Sequence, residues 1–448
     1  MEHDMSRGNP TRLILLFLLP IMGGSLFQQF YSMVDTIIVG RFIGVGALAA
    51  VGSTGGITFF VLGFVVGLTA GFSVIVSQKF GAKDLKSMKK AVAMSILTAG
   101  VVSLIVSALA VWLCKPLLTV MNTPYDIIDD AASYLTIIFI GIVATIYYNL
   151  LASILRALGD SKSPLYFLLI ASVLNIAGDL VAVLLLGMGV EGVALATVLS
   201  QSISALLCLV YIVKRYPSLN LNKTDWDLDW PMIGNLLRIG IPSALQLSVC
   251  ALGVMFVQAF INKMGSETVA AFSVGIKIEQ LATLPLGTLG VAMTTFAGQN
   301  LGAGRLDRVR QGVKSATLLV VLFSTVAFAL LLAFGDDLAR LFIDANNVAV
   351  IEKVQLYLNI SSPFYIPLGL IFVLRSTSQG MGSGLIPMLS SLQELLFRVL
   401  TALTLPLYLG YVGICLANPI AWVAASSLLF VAYRLQIKKL SHLLHVKQ

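Results

Sequence analysis

Asp35 stands in the middle of YSMVDTIIVG (31–40), inside an apolar stretch that begins near Leu13. Asp179 stands in NIAGDLVAVLLLG with Asn175 one helical turn before it, Glu279 in SVGIKIEQLATLPLG, and Glu394 in SLQELLFR. Of 21 acidic residues, these four fall inside apolar helices. An ionised carboxylate at the centre of a membrane helix costs roughly 2.5–3.5 kcal/mol on insertion scales, so intramembrane acids are read as functional or paired. Gln28, Tyr31 and Asp35 fall at i, i+3 and i+7 and share one helix face. Such a polar stripe is expected to line a cavity. Pro20 precedes Asp35 by about 22 Å along the axis; it removes a backbone hydrogen bond and is a candidate bend point. Asn175 and Asp179 can offer several oxygens to one cation, or a hydrogen bond to a protonated carboxyl. Thr197, in GVALATVLS, could add a hydroxyl, although a helical Thr ordinarily bonds its own i−4 carbonyl. Two close carboxylates withdrawn from water titrate as one unit. Such a pair could carry a proton, or hold Na⁺ or a cationic substrate on the same charges. Glu279, six residues before Pro285, is a candidate for a second cation site. Glu394 and Arg398, at i and i+4, read as a structural ion pair, with a gate salt bridge as the sharper option.

Composition sets the medium in which these groups work. The chain has 448 residues, 58% hydrophobic and 11% charged, with a mean hydropathy of +0.94. Soluble domains carry about 25% charged residues, so an all-α polytopic membrane protein is expected. The polar start MEHDMSRGNPTR leads into a span too long for a signal h-region, and no cleavable leader is expected. The net charge of +8 is not interleaved with stackable aromatics, which excludes a nucleic-acid partner. Cys114, Cys208, Cys250 and Cys415 show no CxxC spacing and read as buried packing residues. The histidines His3, His442 and His445 lie in the polar termini, which leaves no intramembrane imidazole as base or ligand. VGSTGG (51–56) lacks a following GK[ST], and no HExxH occurs. An ATP-driven pump or a membrane hydrolase is therefore not expected. Transport without a cofactor, run on an H⁺ or Na⁺ gradient, is.

Twelve apolar stretches fit membrane helices: 13–40, 47–77, 91–113, 133–156, 164–187, 190–213, 236–262, 269–297, 313–335, 354–375, 385–409 and 411–433. With both termini in the cytoplasm, 22 of the 29 basic residues fall in inside segments, Arg156 and Arg375 among them. Lys277 and Arg398 remain within helices. The polar linker 214–232 separates an N-terminal lobe (1–213, six helices) from a C-terminal lobe (233–448, six helices). A repeat crosses it: LLPIMGG at Pro20 answers IGIPSAL at Pro242, and SQKFGAKD answers GQNLGAGRLD. Pro20 to Gly81 is 61 residues and Pro242 to Gly302 is 60, while Tyr134–Pro164 and Tyr357–Pro387 are both 30. Two six-helix bundles related by a pseudo-two-fold axis, with a central cavity, are expected. In repeat register Asp179 answers Ala402, Asn175 answers Arg398, and Asp35 falls near Val257. The chemistry is therefore expected in the first lobe.

Pro20 with VDTIIVGR, the run NIAGDLVAVLLLGMGVEGVALAT and the ending GQNLGAG, in this order and spacing, resemble the multidrug and toxic compound extrusion (MATE) transporters over essentially the full chain. The resemblance is to the prokaryotic, proton-coupled branch. It implies a two-lobed, V-shaped bundle in a bacterial or archaeal inner membrane. The bundle would export organic cations and other amphipathic compounds in exchange for H⁺ or Na⁺, as a monomer. By position it implies Asp35, Asn175, Asp179 and Thr197 as the proton or cation cluster, with Na⁺ the metal candidate there. It likewise implies Gln28, Tyr31, Tyr134 and Asn149 as cavity lining, and a bend of helix 1 at Pro20. The alternative is a flippase of a lipid-linked precursor. Because Lys277 and Arg398 are the intramembrane bases in this reading, the central cavity is expected to be net acidic and suited to cations.

Overall fold

The computed structural model describes residues 4–121, 123–343 and 347–445; His3 and Lys447 lie outside them. The described residues are helical throughout, without strands. In chain order the helices are α1 (Pro10–Ile38), α2 (Val45–Gly81), α3 (Leu85–Val120), α4 (Ile128–Ile140), α5 (Ile142–Ala157), α6 (Lys162–Leu180), α7 (Val190–Arg215), α8 (Trp230–Ile261), α9 (Ser266–Gly302), α10 (Leu306–Arg340), α11 (Val348–Ser361), α12 (Tyr365–Gly380), α13 (Leu385–Thr404), α14 (Pro406–Leu409), α15 (Tyr411–Cys415) and α16 (Ala417–His445). Among the described residues eleven helical runs are long and apolar enough to cross a membrane. α4 and α5, bent by 47° at Gly141, make a twelfth. The protein is a polytopic all-α membrane protein with the expected number of spans.

Several helices overrun their apolar windows. α3 starts at Leu85 rather than near 91 and runs on to Val120. Hydropathy registers only the apolar middle, whereas a helix keeps its internal hydrogen bonds into the polar zone, where Lys86, Lys89 and Lys90 stand. Inside the bilayer no alternative exists for the backbone groups, which explains the helical monotony. Large apolar side chains cover the outside, as Leu104, Trp112, Leu206, Leu318 and Leu332 do.

The chain divides into two compact units: unit 1 holds Met1–Asp4 and Leu19–Ser248, unit 2 holds Met5–Leu18 and Val249–Gln448. The expected boundary lay in the linker at 214–232. By packing, the first part of α8 stays with unit 1, and the first turns of α1 belong to unit 2. Unit 1 is built around α2, whose Val65, Leu68 and Phe72 are fully buried against Leu135, Phe139, Leu150 and Leu155 of α4 and α5. At Gly67 a Cβ would stand 2.3 Å from the Ser243 carbonyl oxygen, so glycine is what lets α8 press onto α2. In unit 2, α9 packs on α10, α11 and α12, and α13 on α16. Cys114, Cys208 and Cys415 are buried, as expected, while Cys250 is partly exposed; all four are free thiols.

Candidate functional site

In unit 1 the expected residues converge from three helices. α6 carries Asn175 and Asp179 one turn apart, 1% and 0% exposed. α7 runs alongside α6, and the approach is close at Gly178, where a Cβ would stand 3.0 Å from the Ala196 Cβ. That closeness brings Thr197 to Asn175, whose Nδ2 donates to the Thr197 Oγ1 at 3.2 Å and faces the Asp179 Oδ1 at 3.4 Å. The Thr197 hydroxyl also donates to the Val193 carbonyl at 3.0 Å, so the ordinary helical bond and the cluster contact coexist. Asp35 of α1 faces Asp179. Tyr31, one turn before Asp35, faces both carboxylates. Tyr134 of α4 faces both carboxylates. Asp35 Oδ1, Asn175 Oδ1 and Asp179 Oδ2 are buried and have no hydrogen-bond partner among the described residues. The groups that face the two carboxylates are each other, Asn175 and the two tyrosines; no basic side chain is among them.

Unit 2 presents the opposite electrostatics. The Glu394 carboxylate accepts from the Arg398 Nη2 at 2.6 Å and the Arg375 Nη2 at 2.9 Å. Arg375 also donates through Nε to the Ser390 Oγ at 3.0 Å. The expected Glu394–Arg398 pair is thus present and has a third member. Glu279 of α9 is buried, with Arg398 as its charged neighbour, and its Oε2, the Ser361 hydroxyl and the Tyr357 hydroxyl have no hydrogen-bond partner among the described residues. Two arginines and two glutamates balance. Arg375, read from the sequence as an inside-loop residue, is a correction: it lies within α12 and is 6% exposed. A hydropathy window ends at a charge because it cannot see the carboxylate that a distant helix will supply.

Unit 1 also contains a cavity of about 330 Å³ bordered by α1, α2, α5, α6 and α7. Pro20, Gln28 and Asn149 line it, while Tyr31 and Tyr134 stand at the carboxylate cluster instead. Arg156 and Gln201, which the sequence reading did not place there, also line it. A signal for both was present: Thr145, Asn149 and Arg156 repeat at i, i+4 and i+11, and Gln201 stands one turn beyond Thr197. The charged lining residue of this cavity is Arg156, and none of its lining residues is acidic. Among the described residues, no three His, Cys, Asp or Glu side chains gather as a metal site.

A family model named MatE matches residues 20–181 and 242–404. The chain is 31% identical over 435 residues, 96% of each chain, to a probable multidrug resistance protein, YpnP, of Bacillus subtilis. It is 24% identical over 426 residues, 94% of this chain and 93% of the other, to a protein of Shewanella oneidensis named as an FAD transporter. Among solved structures it is similar to a MATE protein in complex with MaL6, with a TM-score of 0.90 at 22% identity over 98% of this chain and 99% of that one. An outward-facing multidrug resistance transporter of the MATE family superposes with the same TM-score at 23% identity, covering 98% of each chain.

Proposed function

Because the chain belongs to the MatE family of multidrug efflux transporters, we propose that it is a secondary antiporter. It exports amphipathic small molecules in exchange for H⁺ or Na⁺ by alternating access. Its termini are cytoplasmic, as the distribution of Lys and Arg favours. The observation that carries the reading is the charge imbalance of unit 1. Asp35 and Asp179 stand together with no basic partner, whereas every buried carboxylate of the unit 2 network has an arginine near it. Two buried carboxylates that face each other repel unless a proton or another cation neutralises one of them. The pair is therefore a place where one positive charge must come and go with the transport cycle.

Either ion fits the donors. A proton is held between Asp35 and Asp179 while Asn175, braced by Thr197, faces the second carboxylate. Na⁺, a hard cation, would take oxygens from both carboxylates, Asn175 Oδ1 and Thr197. The proton is favoured by the two tyrosines, whose hydroxyls offer a relay to the pair. Coupling to cargo runs through α1. Pro20 and Gln28 form part of the cavity wall, and Asp35 lies two turns past Gln28, about 10 Å. Changing the charge at Asp35 changes what holds the second half of α1, and Pro20 gives that helix a weak point at which to bend.

The test is reconstitution in sealed vesicles with an imposed pH or sodium gradient, following ethidium. A pH gradient drives ethidium movement in the native protein and leaves Asp35→Asn at background. Movement driven by Na⁺ alone, with no response to pH, removes the proton; unchanged transport by Asp35→Asn removes the site.

A further inference from the structure

Arg156 is the charged group of the unit 1 cavity, and the proposed ion exchange does not use it. It stands in the last turn of α5, and its guanidinium has one hydrogen bond within the described residues, from Nη2 to the Ser153 Oγ at 2.9 Å. No described carboxylate forms an ion pair with it. The titratable groups that face it are Tyr148, which shares the cavity, and Cys208. A guanidinium offers five donors in a planar fork, and one hydroxyl leaves most of that capacity unspent. Arg375 and Arg398, which are buried, show how the same chain deals with a guanidinium whose role is structural: it supplies Glu394; the half-buried Arg156 has no such partner.

The rest of the wall has complementary chemistry. Gln201 Oε1 is buried and has no donor among the described residues, yet Gln201 lines the same cavity. Asn149 spends its Nδ2 on the Thr145 carbonyl at 2.8 Å, leaving its oxygen as an acceptor. Leu62, Val66, Leu165 and Leu168 supply the apolar surface. At about 330 Å³ the cavity falls in the range that takes a drug-sized ligand.

We infer that this cavity binds an amphipathic organic anion or zwitterion, its carboxylate or phosphate on the Arg156 fork and its N–H or O–H donors on Gln201 and Asn149. The fork matches the two oxygens of an oxyacid, which a lone ammonium would not do as well. The inference adds an anionic or zwitterionic class of cargo to the exporter reading above and rests on it only for the ligand's being cargo. The ligand's source is either a soluble metabolite or drug, or the headgroup of an anionic lipid.

Binding without any gradient tests it separately from ion coupling. The full-length protein in phosphatidylcholine nanodiscs is titrated with dansylglycine, a monoanion, and with its neutral methyl ester. Arg156→Gln is expected to weaken the acid by about tenfold or more and to leave the ester within about twofold. Arg156→Lys, which keeps the charge but loses the fork, should lie between. Equal losses for acid and ester, or no loss, overturn the inference; equal losses are what a purely structural role at the end of α5 produces. Should Arg156→Gln fail to fold, Gln201→Glu adds a negative charge to the same wall without altering Arg156. It must weaken the acid selectively, and failure to do so also overturns the proposal. Nanodiscs containing phosphatidylglycerol separate the sources. A fall in dansylglycine affinity there, lost in Arg156→Gln, assigns the subsite to lipid phosphate, and an unchanged affinity assigns it to a soluble anion.

Discussion

Charge bookkeeping at single residues separates the two polar clusters. In unit 2, Glu394 holds two arginines together at 2.6 and 2.9 Å. Glu394→Gln leaves both guanidinium groups buried against a neutral amide, and breaking a buried pair in this way costs about 3–5 kcal/mol. The expected result is a large drop in thermal midpoint in detergent. Adding Arg398→Met, which removes one of the two stranded charges, should restore part of it. In unit 1, Asp179→Asn should do the reverse, because it relieves a crowd of two carboxylates. Its thermal midpoint should stay level or rise while gradient-driven ethidium transport falls to background. A variant of Asp179 that loses stability and retains transport would identify the pair as structural. With a proton as the ion, transport by the native protein should slow as the pH of the proton-loading side is raised, while Asp179→Asn stays at background at every pH.

At the scale of elements, helix ends and helix contacts decide local stability. Asp84 caps α3: its carboxylate accepts the Ser87 N–H at 3.0 Å, with Lys79 at 3.5 Å. The Ser87 hydrogen bonds hold its pKa below the usual carboxylate range. Because the folded pKa is depressed, the contribution is present above the unfolded value near 3.9 and is lost as pH falls through the folded value. Asp84→Ala should therefore cost about 0.5–2 kcal/mol at neutral pH, and its thermal midpoint should converge with that of the native protein in acid. Gly67 marks the approach of α2 and α8, with a Cβ position 2.3 Å from the Ser243 oxygen. Gly67→Val must push these helices apart, and little folded protein is expected on size-exclusion after membrane extraction. Gly67→Ala should be milder and still destabilising.

For the whole molecule, the informative feature is where the chain changes units. α1 begins in unit 2 and continues in unit 1 from Leu19, next to Pro20; α8 passes from unit 1 to unit 2 after Ser248, six residues beyond Pro242. The chain therefore changes units within six residues of each repeat proline. Met5 and Gly8 are held in unit 2 by the GQNLGAG segment and the nearby Arg308. Met5 N–H donates to the Gln299 Oε1 at 2.8 Å, Asn300 Nδ2 donates to the Met5 carbonyl at 3.2 Å, and Arg308 donates to the Gly8 carbonyl at 2.9 Å. This motif, read from the sequence as a repeat marker, is a clamp. Arg308→Ala removes charged hydrogen bonds from buried carbonyls and should cost about 2–4 kcal/mol. Limited proteolysis should then cut near the N-terminus before the remainder unfolds; uncut protein would show that the Met5 contacts hold the segment alone.

The sequence by itself determined the medium, the spans and the family. Hydropathy and the positions of Lys and Arg are local quantities, and in a bilayer the backbone has no option but a helix. It also singled out Asp35, Asn175, Asp179 and Thr197, because a carboxylate among apolar residues stands out without any knowledge of its neighbours. Only the tertiary structure decided which charges are compensated. Arg375 and Arg156 both looked like loop residues at the edge of an apolar window. One is buried on a glutamate 19 positions away, and the other lines a cavity with no carboxylate beside it. Whether a buried charge has a partner depends on the packing of other helices, and no window along the chain contains that information.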